Sequence, residues 1–386
     1  MVETLLLVLY VITVGVLLST YMFYPFVSKL VLKSNDKDNP EKDYGAFYII
    51  IPAYNEESVL ENKIKNTLKY MGARSEIIVV SDASDDKTDS ICQKIVEHND
   101  NVRFYVNQER GGKNTCLNLA VKKLNPNKDD ILIFTDCNTF FDENSLSEIR
   151  KSLLSGSSLV GGSMVYESMK SASAVSEGLY WKYEEWIRRN ESEKGRLIVC
   201  NGGLFGMWAN HYETLRPFVP NDFEGPLRLC GKGRHVIINS KAKGIETAIN
   251  SPEEEYSRKQ RMANRQMNCI IYLWKNLNVG TKFQVLFHKL FRWFGLHLFF
   301  LSTVLIILLA LDSKFFIINL LSLLHLMVFT LIILALLNQK LKVDLKLLPK
   351  FLHAIKVHIY GARGAFGAIF GDKTSIWEKA ETNRRS

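Results

Sequence analysis

Apolar residues are concentrated at the two ends of this 386-residue chain, and the lengths of these runs constrain its fold more than any other feature. The run at residues 5–26 is long enough to cross a bilayer, for which about 20 apolar residues suffice. Two further runs, at 294–311 and 315–337, are separated only by the segment 312–314 (DSK), a break that predicts a helical hairpin. We therefore expect three membrane-spanning helices.

Basic residues predict how these helices are oriented. Lys29 and Lys33 follow the first run, and Lys340, Lys342 and Lys346 follow the third. Because lysine and arginine accumulate on the cytoplasmic side of a membrane, the middle of the chain and its C-terminal tail are both predicted to be cytoplasmic. The first run has no basic start of the kind found in cleaved signal peptides, so we expect it to remain as an anchor.

A fourth segment, residues 351–370, is less apolar and harder to assign. It contains Lys356, His358 and Arg363 and ends in a glycine-rich stretch. We expect it to lie in the membrane interface as an amphipathic segment. The alternative is a fourth span, which would carry the basic tail to the outside, against the charge rule.

Net charge and cysteine spacing exclude several function classes. The charge of +9 is explained by basic residues that flank membrane segments, meet anionic lipid or receive an anionic substrate. No arginine-rich arm or basic stripe with interleaved aromatic residues favours nucleic acid as a partner. The six cysteines include no C-x-x-C pair, which argues against a zinc site or a disulfide framework.

Between the apolar ends, strand and helix signals alternate. Apolar, β-rich runs occur at 47–51, 76–80, 102–106 and 131–134, and helical spacing follows each of the first three. Continuous buried strands of this kind predict a mostly parallel sheet with helices on both faces. Ligands bind such sheets beyond the carboxyl ends of the strands. The polar residues at these ends are Asn55, Glu56, Asp82, Asp136 and Asn138.

Two nucleotide-binding classes are excluded by their loops. No G-x-G-x-x-G follows the first strand, so a dinucleotide-binding domain is not expected. The segment 110–115 (RGGKNT) superficially resembles a phosphate loop. It lacks the first glycine at the required spacing, and Asn114 stands where a P-loop needs Ser or Thr to bind magnesium.

The segments 51–57 (IPAYNEE) and 79–88 (VVSDASDDKT) resemble family 2 glycosyltransferases of the GT-A fold, including the membrane-integrated synthases related to hyaluronan and cellulose synthases. The resemblance implies an α/β domain of the nucleotide-diphospho-sugar transferase, Rossmann-like type, with flanking transmembrane helices. It also implies that Asn55, Glu56 and Asp82 hold the base and ribose of a nucleotide. Helix capping is a further expected role of Asn55.

The segment 134–138 (FTDCN) stands where this family has D-x-D. The resemblance implies that Asp136 binds Mg²⁺ or Mn²⁺, which bridges the enzyme to the donor diphosphate. Asn138 departs from the full motif, and its amide oxygen is the expected second metal ligand. Lys113 resembles the family's basic residue near the donor, and a solvated lysine is the alternative.

The segment 221–228 (NDFEGPLR) resembles the family's catalytic-base motif, with Asp222 in the place of the base. Such a carboxylate removes the proton from the acceptor hydroxyl as that oxygen attacks the sugar from the face opposite the nucleotide. Glu224 is the rival candidate. Because Asn221 replaces the usual acidic neighbour, we expect the pKa of Asp222 to lie nearer that of an ordinary aspartate than that of one crowded by a second carboxylate.

The segment 258–262 (RKQRM) falls where the processive synthases have Q-x-x-R-W. The resemblance implies that Arg258 and Arg261 clamp the donor diphosphate, since a planar guanidinium matches phosphate oxygens. A solvated helix face is the alternative. The absence of the motif's tryptophan puts long-chain processivity in doubt.

These observations predict six parts along the chain. They are an N-terminal transmembrane helix (1–27), a linker (28–45), a cytoplasmic GT-A catalytic domain (46–268), an interfacial segment (269–293), a transmembrane hairpin (294–338), and an amphipathic interfacial segment with a cytoplasmic tail (339–386).

The resemblance implies an inverting, metal-dependent transferase of the cell membrane, acting in polysaccharide or glycan biosynthesis. Its partners would be a nucleotide-sugar donor, with a UDP-sugar expected first, a glycan or lipid-linked acceptor, and membrane lipid. One alternative is a processive polysaccharide synthase that exports its product, as an oligomer or with an export partner. A second alternative, of another class, is a catalytically silent membrane scaffold that binds nucleotide or glycan.

Overall fold

The computed structural model describes residues 1–40, 43–167, 172–247, 252–341 and 348–373. Its N-terminal helix α1 (Val2–Leu18) continues through a π-helical turn (Ser19–Phe23) into α2 (Tyr24–Val31). Among the described residues, three helical stretches are long and apolar enough to cross a membrane: Val2–Leu30, Gly295–Asp312 and Phe316–Leu337. They coincide with the three predicted spans, and the predicted break after Asp312 separates the last two.

Within those ranges eight strands form one sheet in the order β3-β2-β1-β4-β7-β6-β8-β5. The strands are β1 (Phe47–Ala53), β2 (Ser75–Ser81), β3 (Val102–Val106), β4 (Ile131–Thr135), β5 (Phe140–Phe141), β6 (Leu159–Glu167), β7 (Leu204–Trp208) and β8 (Val236–Thr247). The first four strands are parallel, as predicted. β7 is antiparallel to both β4 and β6, and β8 is parallel to β6 and antiparallel to β5, so the whole sheet is mixed.

The remaining helices surround this sheet or lie beyond it. They are α3 (Leu60–Tyr70), α4 (Thr88–Val96), α5 (Lys113–Leu124), α6 (Ser145–Leu154), α7 (Ala172–Glu193), α8 (Asn221–Gly231), α9 (Pro252–Leu273), α10 (Val279–Gln284), α11 (Phe291–Trp293), α12 (Gly295–Asp312), α13 (Phe316–Leu341) and α14 (Leu348–Ile369). A further π-helical turn, Val285–Leu290, joins α10 to α11, and short 3-10 turns occur at Ala209–His211 and Trp274–Asn276.

Alternate residues of the central strands supply two hydrophobic cores, one on each face of the sheet. Ile50 and Ile78 belong to one core, whereas Ile49, Ile51 and Ile77 belong to the other. Successive side chains of a strand point to opposite faces, so an uninterrupted apolar run is what a strand covered on both sides requires. The continuous apolar runs of the sequence therefore match the observed layers.

The core of this domain extends past residue 268. Cys269, Ile270 and Leu277 are buried in the same cluster as Ile50. The segment predicted to be interfacial, 269–293, thus packs one of its faces against the domain. The predicted boundary between the two parts stays a prediction.

Helix α14 packs along α9, and it is not among the candidate spans found in the described part of the chain. Tyr360 stacks on Tyr256 with their ring centroids 5.2 Å apart. A Cβ atom at Gly364 would overlap the carbonyl oxygen of Gln260 and lie 2.9 Å from the amide nitrogen of Asn264. The glycine-rich end of α14 therefore allows the two helix backbones to approach closely.

Part of the predicted C-terminal segment and its topology signal, namely Lys342, Lys346 and the tail 374–386, lies outside the described residues.

A buried polar cluster joins the first candidate span to the sheet domain. The Tyr24 hydroxyl donates to Oε1 of Glu191 at 2.5 Å. The ring nitrogens of His288 lie 2.8 Å from Glu191 and 3.0 Å from Glu184. Arg292 donates to the second oxygen of Glu184 at 2.6 Å. Because buried charges are stable only when they are paired in a defined geometry, this cluster fixes the end of the first candidate span on α7.

Candidate active site

Asp82, at the end of β2, is buried and holds the glycine turn that precedes α5. Its Oδ1 accepts hydrogen bonds from the amide of Gly111 at 2.9 Å and from Nδ2 of Asn107 at 3.0 Å. Its Oδ2 accepts from the amide of Gly112 at 2.8 Å. Gly112 has φ +85°, a backbone conformation that residues with a Cβ atom rarely adopt. The carboxylate thereby fixes where the next residue, Lys113, enters the site.

Asn55 and Glu56, after β1, join their loop to the loop that follows β2. Oδ1 of Asn55 accepts from the amide of Asp85 at 3.0 Å, and Asn55 itself has φ +51°. Glu56 is fully buried, and its amide donates to Oγ1 of Thr88 at 2.8 Å. Both residues lie at the predicted edge of the sheet, and their contacts with a nucleotide stay a prediction.

Lys113 and Asp136 form an ion pair at the centre of this edge. Nζ of Lys113 lies 2.6 Å from Oδ1 of Asp136 and also donates to the carbonyl oxygen of Gly202 at 3.2 Å. Only 11% of the lysine side chain and 20% of the aspartate side chain are exposed. Three loops that are distant in sequence thus meet at one ammonium group. Asn138 is buried two residues beyond Asp136.

Asp222 lies in the first turn of α8 and faces the same place. A Cβ atom at Gly202 would lie 3.3 Å from Oδ2 of Asp222. Burial raises the pKa of Asp222, and so does the negative charge of Asp136, while Lys113 and Arg265 act in the opposite direction. The pKa of Asp222 therefore lies above that of an ordinary aspartate, with desolvation of the carboxylate as the largest cause. How it compares with the pKa of an aspartate beside a second acidic residue stays a prediction.

Glu224, the rival base, is held by a different partner. Its Oε1 accepts from Nε of Arg228 at 2.9 Å, and both side chains are buried. The pair lies beside a small cavity lined by apolar residues such as Leu117 and Phe134. The arrangement therefore favours Asp222 as the group that faces the site.

The loop before Asp222 is fixed from two sides. Nδ2 of Asn114, on α5, donates to the carbonyl oxygen of Val219 at 2.8 Å and to that of Arg216 at 2.6 Å. Arg265, on α9, donates to Val219 O at 2.6 Å. The helix that begins at the Lys113 turn therefore also positions the predicted base.

Arg258 and Arg261 are half-buried on α9, and both make contacts within the protein. Burial and the negative charge of Asp136 raise the pKa of Glu246, and the nearby charge of Arg258 lowers it by less. The structure therefore brings Arg258 to the site edge. The assignment of both arginines to a diphosphate stays a prediction.

Sequence reasoning missed two residues of this region, Glu246 and Lys63. Glu246, near the end of β8, accepts a hydrogen bond from Oγ1 of Thr139. Lys63, on α3, is fully buried, and its Nζ donates to Thr135 Oγ1 at 3.0 Å and to the Thr139 carbonyl oxygen. Its ammonium also lies 3.5 Å from the centroid of the Phe141 ring.

The buried surroundings of Lys63 lower its pKa to about 7, against the partly compensating charges of Asp136 and Glu246. One sequence signal was available for Lys63, which shares the i, i+3, i+4 face of Leu60, Ile64 and Thr67. No comparable signal marked Glu246, because β8 reaches the site only through its pairing with β6 and β5.

The chain is similar in sequence to known glycosyltransferases. Residues 48–215 match the model of glycosyl transferase family 2. The glycosyltransferase AglD of Haloferax volcanii is 27% identical over 113 residues, which cover 28% of this chain and 18% of that protein. A poly-β-1,6-N-acetyl-D-glucosamine synthase of Staphylococcus aureus is 28% identical over 127 residues, 33% of this chain and 30% of the synthase. The matched segment is thus less than a third of either relative.

A solved structure covers far more of the chain. The mannosyltransferase PcManGT from Pyrobaculum calidifontis, determined in complex with GDP-Man and Mn²⁺, superposes with a TM-score of 0.66. The superposition includes 97% of this chain and 100% of that one, at 16% sequence identity, a level that shows a common fold and no more. Residues 48–215 therefore match a family 2 glycosyltransferase domain, and the chain has the GT-A fold with flanking candidate transmembrane helices.

Proposed function

We propose that this protein is an inverting glycosyltransferase that transfers a sugar from a nucleotide-sugar donor to a glycan or lipid-linked acceptor at the cytoplasmic face of the cell membrane. A UDP-sugar is the donor that we expect first. The observation that carries the proposal is the convergence of Lys113, Asp136 and Asp222 around Gly202. They come from three separate segments, namely the start of α5, the loop after β4 and the first turn of α8, and together they offer a cation, a carboxylate for a metal and a base.

Asp222 is proposed to take the proton from the acceptor hydroxyl. The hydroxyl oxygen then forms a bond to the anomeric carbon from the face opposite the nucleotide, and the bond between that carbon and the diphosphate oxygen breaks. The nucleoside diphosphate leaves with the electron pair. Burial favours the neutral carboxylic acid, so Asp222 is a stronger base than an exposed aspartate.

The donor diphosphate is proposed to lie against Lys113, Arg258 and Arg261. Asp82 holds the turn that precedes Lys113, which supports this role. We infer that Asp82 acts on the donor partly through that turn, because both of its oxygens accept hydrogen bonds from the chain. Asn55 and Glu56 are proposed to shape the neighbouring nucleotide pocket.

The donor set at the site fits a hard divalent cation such as Mg²⁺ or Mn²⁺. Asp136 and Asn138 supply oxygen ligands, and the ammonium of Lys113 on Oδ1 of Asp136 marks a position where positive charge is held. The described residues contain no group of three or more His, Cys, Asp or Glu suited to a metal. When bound, the cation would neutralise charge on the departing diphosphate.

A second candidate function is a processive synthase of a polysaccharide, acting as an oligomer or with an export partner. The similarity to the poly-β-1,6-N-acetyl-D-glucosamine synthase favours it. The presence of Met262, where processive synthases have tryptophan, argues against it. Product length distinguishes the two functions.

The test is sugar transfer by the full-length protein in detergent. UDP-, GDP- and TDP-sugars would be screened with manganese or magnesium, reading nucleotide release and product size. Asp222→Asn should abolish metal-dependent release, whereas Asp100→Asn, at an exposed position, should leave it unchanged. Nucleotide binding without turnover of any donor would instead favour a catalytically silent scaffold.

A further inference from the structure

A small cavity lies beside the first turn of α8. Its volume is about 10 Å³, which is about the space that a single water molecule needs. Asn221 and Glu224 both line it, and their spacing of three residues places them on one face of the helix. Asp222, the predicted base, directly follows Asn221. The remaining lining is mostly apolar and includes Phe205 and Met207.

Two polar atoms of the residues that line this cavity are buried and unpaired. Among the described residues, neither Nδ2 of Asn221 nor Oε2 of Glu224 has a hydrogen-bond partner. Only 7% of Asn221 and 5% of Glu224 are exposed. The first atom is a donor and the second, as a carboxylate oxygen, is an acceptor. Leaving both unpaired is costly, because both are shielded from bulk water.

A single water molecule matches both the volume and the polarity of the cavity. Its oxygen can accept from Nδ2 of Asn221 while one of its hydrogens is donated to Oε2 of Glu224. Tyr212 also lines the cavity, and its hydroxyl donates to Oδ1 of Asn118 at 2.7 Å. The Tyr212 oxygen can therefore accept the second hydrogen of the water. Buried waters typically have about three such partners, and a larger ligand would not fit.

The first turn of α8 depends on contacts outside the helix. Pro220 occupies the N-cap position and has no side-chain oxygen with which to cap it. Pro226, inside the helix, has no N–H to donate to the carbonyl oxygen of Asp222, four residues earlier. The amide of Cys200 donates to that oxygen instead, at 2.8 Å. A further contact on the cavity side would therefore help to fix the turn that carries Asp222.

We propose that one water molecule binds in this cavity between Asn221 and Glu224, and that the two residues position Asp222 through it. The positioning role rests on the proposed function, in which Asp222 is the base, whereas the water site does not. Glu224 is then a positioning residue, since Nε of Arg228 donates to its Oε1 at 2.9 Å and leaves Oε2 for the water. Asn221 supplies the donor on the other side of the water.

The water site is tested by an experimental structure of the full-length protein at a resolution that shows ordered water. We expect one water molecule within hydrogen-bonding distance of both Nδ2 of Asn221 and Oε2 of Glu224. A cavity without ordered water, or a direct hydrogen bond between the two side chains, would overturn the proposal. This result does not depend on whether the protein transfers sugar.

The positioning role is tested with Asn221→Leu, because leucine has a similar size and cannot bond to the water. We expect hydrogen–deuterium exchange in the first turn of α8 to rise. We also expect kcat of sugar transfer to fall about tenfold, because a small displacement of the base slows the reaction. The KM of the donor should stay unchanged, since Lys113 and Asp136 are not altered.

Two further variants serve as controls. Asn221→Ser keeps a hydroxyl donor and should retain part of the wild-type kcat and of the protection from exchange. Asn127→Leu, at an exposed asparagine, should change neither. Thermal unfolding of each variant shows whether it is folded, and Asn221→Ser provides the measurement if Asn221→Leu does not fold.

Either an unchanged kcat or unchanged exchange in Asn221→Leu would overturn the positioning role. If the wild type transfers no sugar from any donor, the proposed function is rejected. The exchange measurement then decides by itself whether Asn221 fixes the first turn of α8, and the experimental structure still decides whether the water is bound.

Discussion

Lys63 offers the most direct test of how the site is supported. Its ammonium is fully buried beneath the loop that carries Asp136, and it bonds to Thr135 and Thr139 at the two ends of that loop. Thr139 in turn bonds to Glu246. Replacing Lys63 with methionine keeps the apolar stem and removes both the charge and the hydrogen bonds, so it should loosen the loop.

The burial of Lys63 also predicts a pH effect of known sign. The pKa of Lys63 is lowered to about 7 from an ordinary value of 10.5. Between these two pH values the unfolded chain binds more protons than the folded one, so the stability contributed by this residue rises with pH. Below pH 7 burial of the charged ammonium lowers the free energy of unfolding by its full amount, which is about 5 kcal/mol. This destabilisation disappears near pH 10.5.

The assay is thermal unfolding of the full-length protein in detergent at several pH values between 7 and 10. Lys63→Met should lack the gain in stability that Lys63 contributes to the wild type as the pH rises. The stability of the variant relative to wild type should therefore be greatest at pH 7. Lys65→Met, on the exposed face of α3 with only an ion pair to Glu61, should follow the wild type. We also expect kcat/KM of Lys63→Met to fall about tenfold, because a displaced loop mispositions Asp136.

If the difference in stability between wild type and Lys63→Met were the same at every pH, the reasoning about the buried ammonium would be refuted. Full activity of the variant would separately refute the supporting role for the loop.

Three further predictions concern other parts of the molecule. Gly364→Ala should destabilise the protein by about 1–3 kcal/mol because the new Cβ overlaps α9. Gly15→Ala, which has no atom within 4 Å of its new Cβ, should leave thermal unfolding unchanged. Equal effects of the two substitutions would contradict the close packing of α14 on α9. Since burial raises the pKa of Asp222, the fall of kcat/KM on acidification should begin at a higher pH than it would with an ordinary aspartate as the base. A pH–rate profile without this acidic fall would exclude Asp222 as the base. Glu246→Gln should weaken Mn²⁺ binding in the presence of UDP about tenfold, as measured by calorimetry, and unchanged affinity would remove Glu246 from the site.

Local sequence was sufficient to predict the three candidate spans and the four parallel strands of this protein. The spans followed from the length and composition of apolar runs, and the central strands followed from continuous apolar segments such as Ile49 to Ile51. The motif positions Asp82, Asp136 and Asp222 were identified by resemblance, and each lies at one edge of the sheet region in the structure. The mixed direction of the second half of the sheet was not predicted, because strand direction depends on pairing partners.

The contacts that complete the site came only from the tertiary structure. Glu246 looks like an ordinary surface residue in the sequence, since charged residues at strand ends are usually solvated. Lys63 is marked only by its place on the buried face of α3. Whether such a group is buried depends on which elements pack over it, and those elements lie 70 or more residues away for Lys63. Sequence by itself therefore determined the candidate spans and the four central strands through local hydrophobicity, and it indicated the motif carboxylates through resemblance to a family. Only the tertiary structure decided which charged side chains are buried, because burial depends on packing between elements that are distant in sequence.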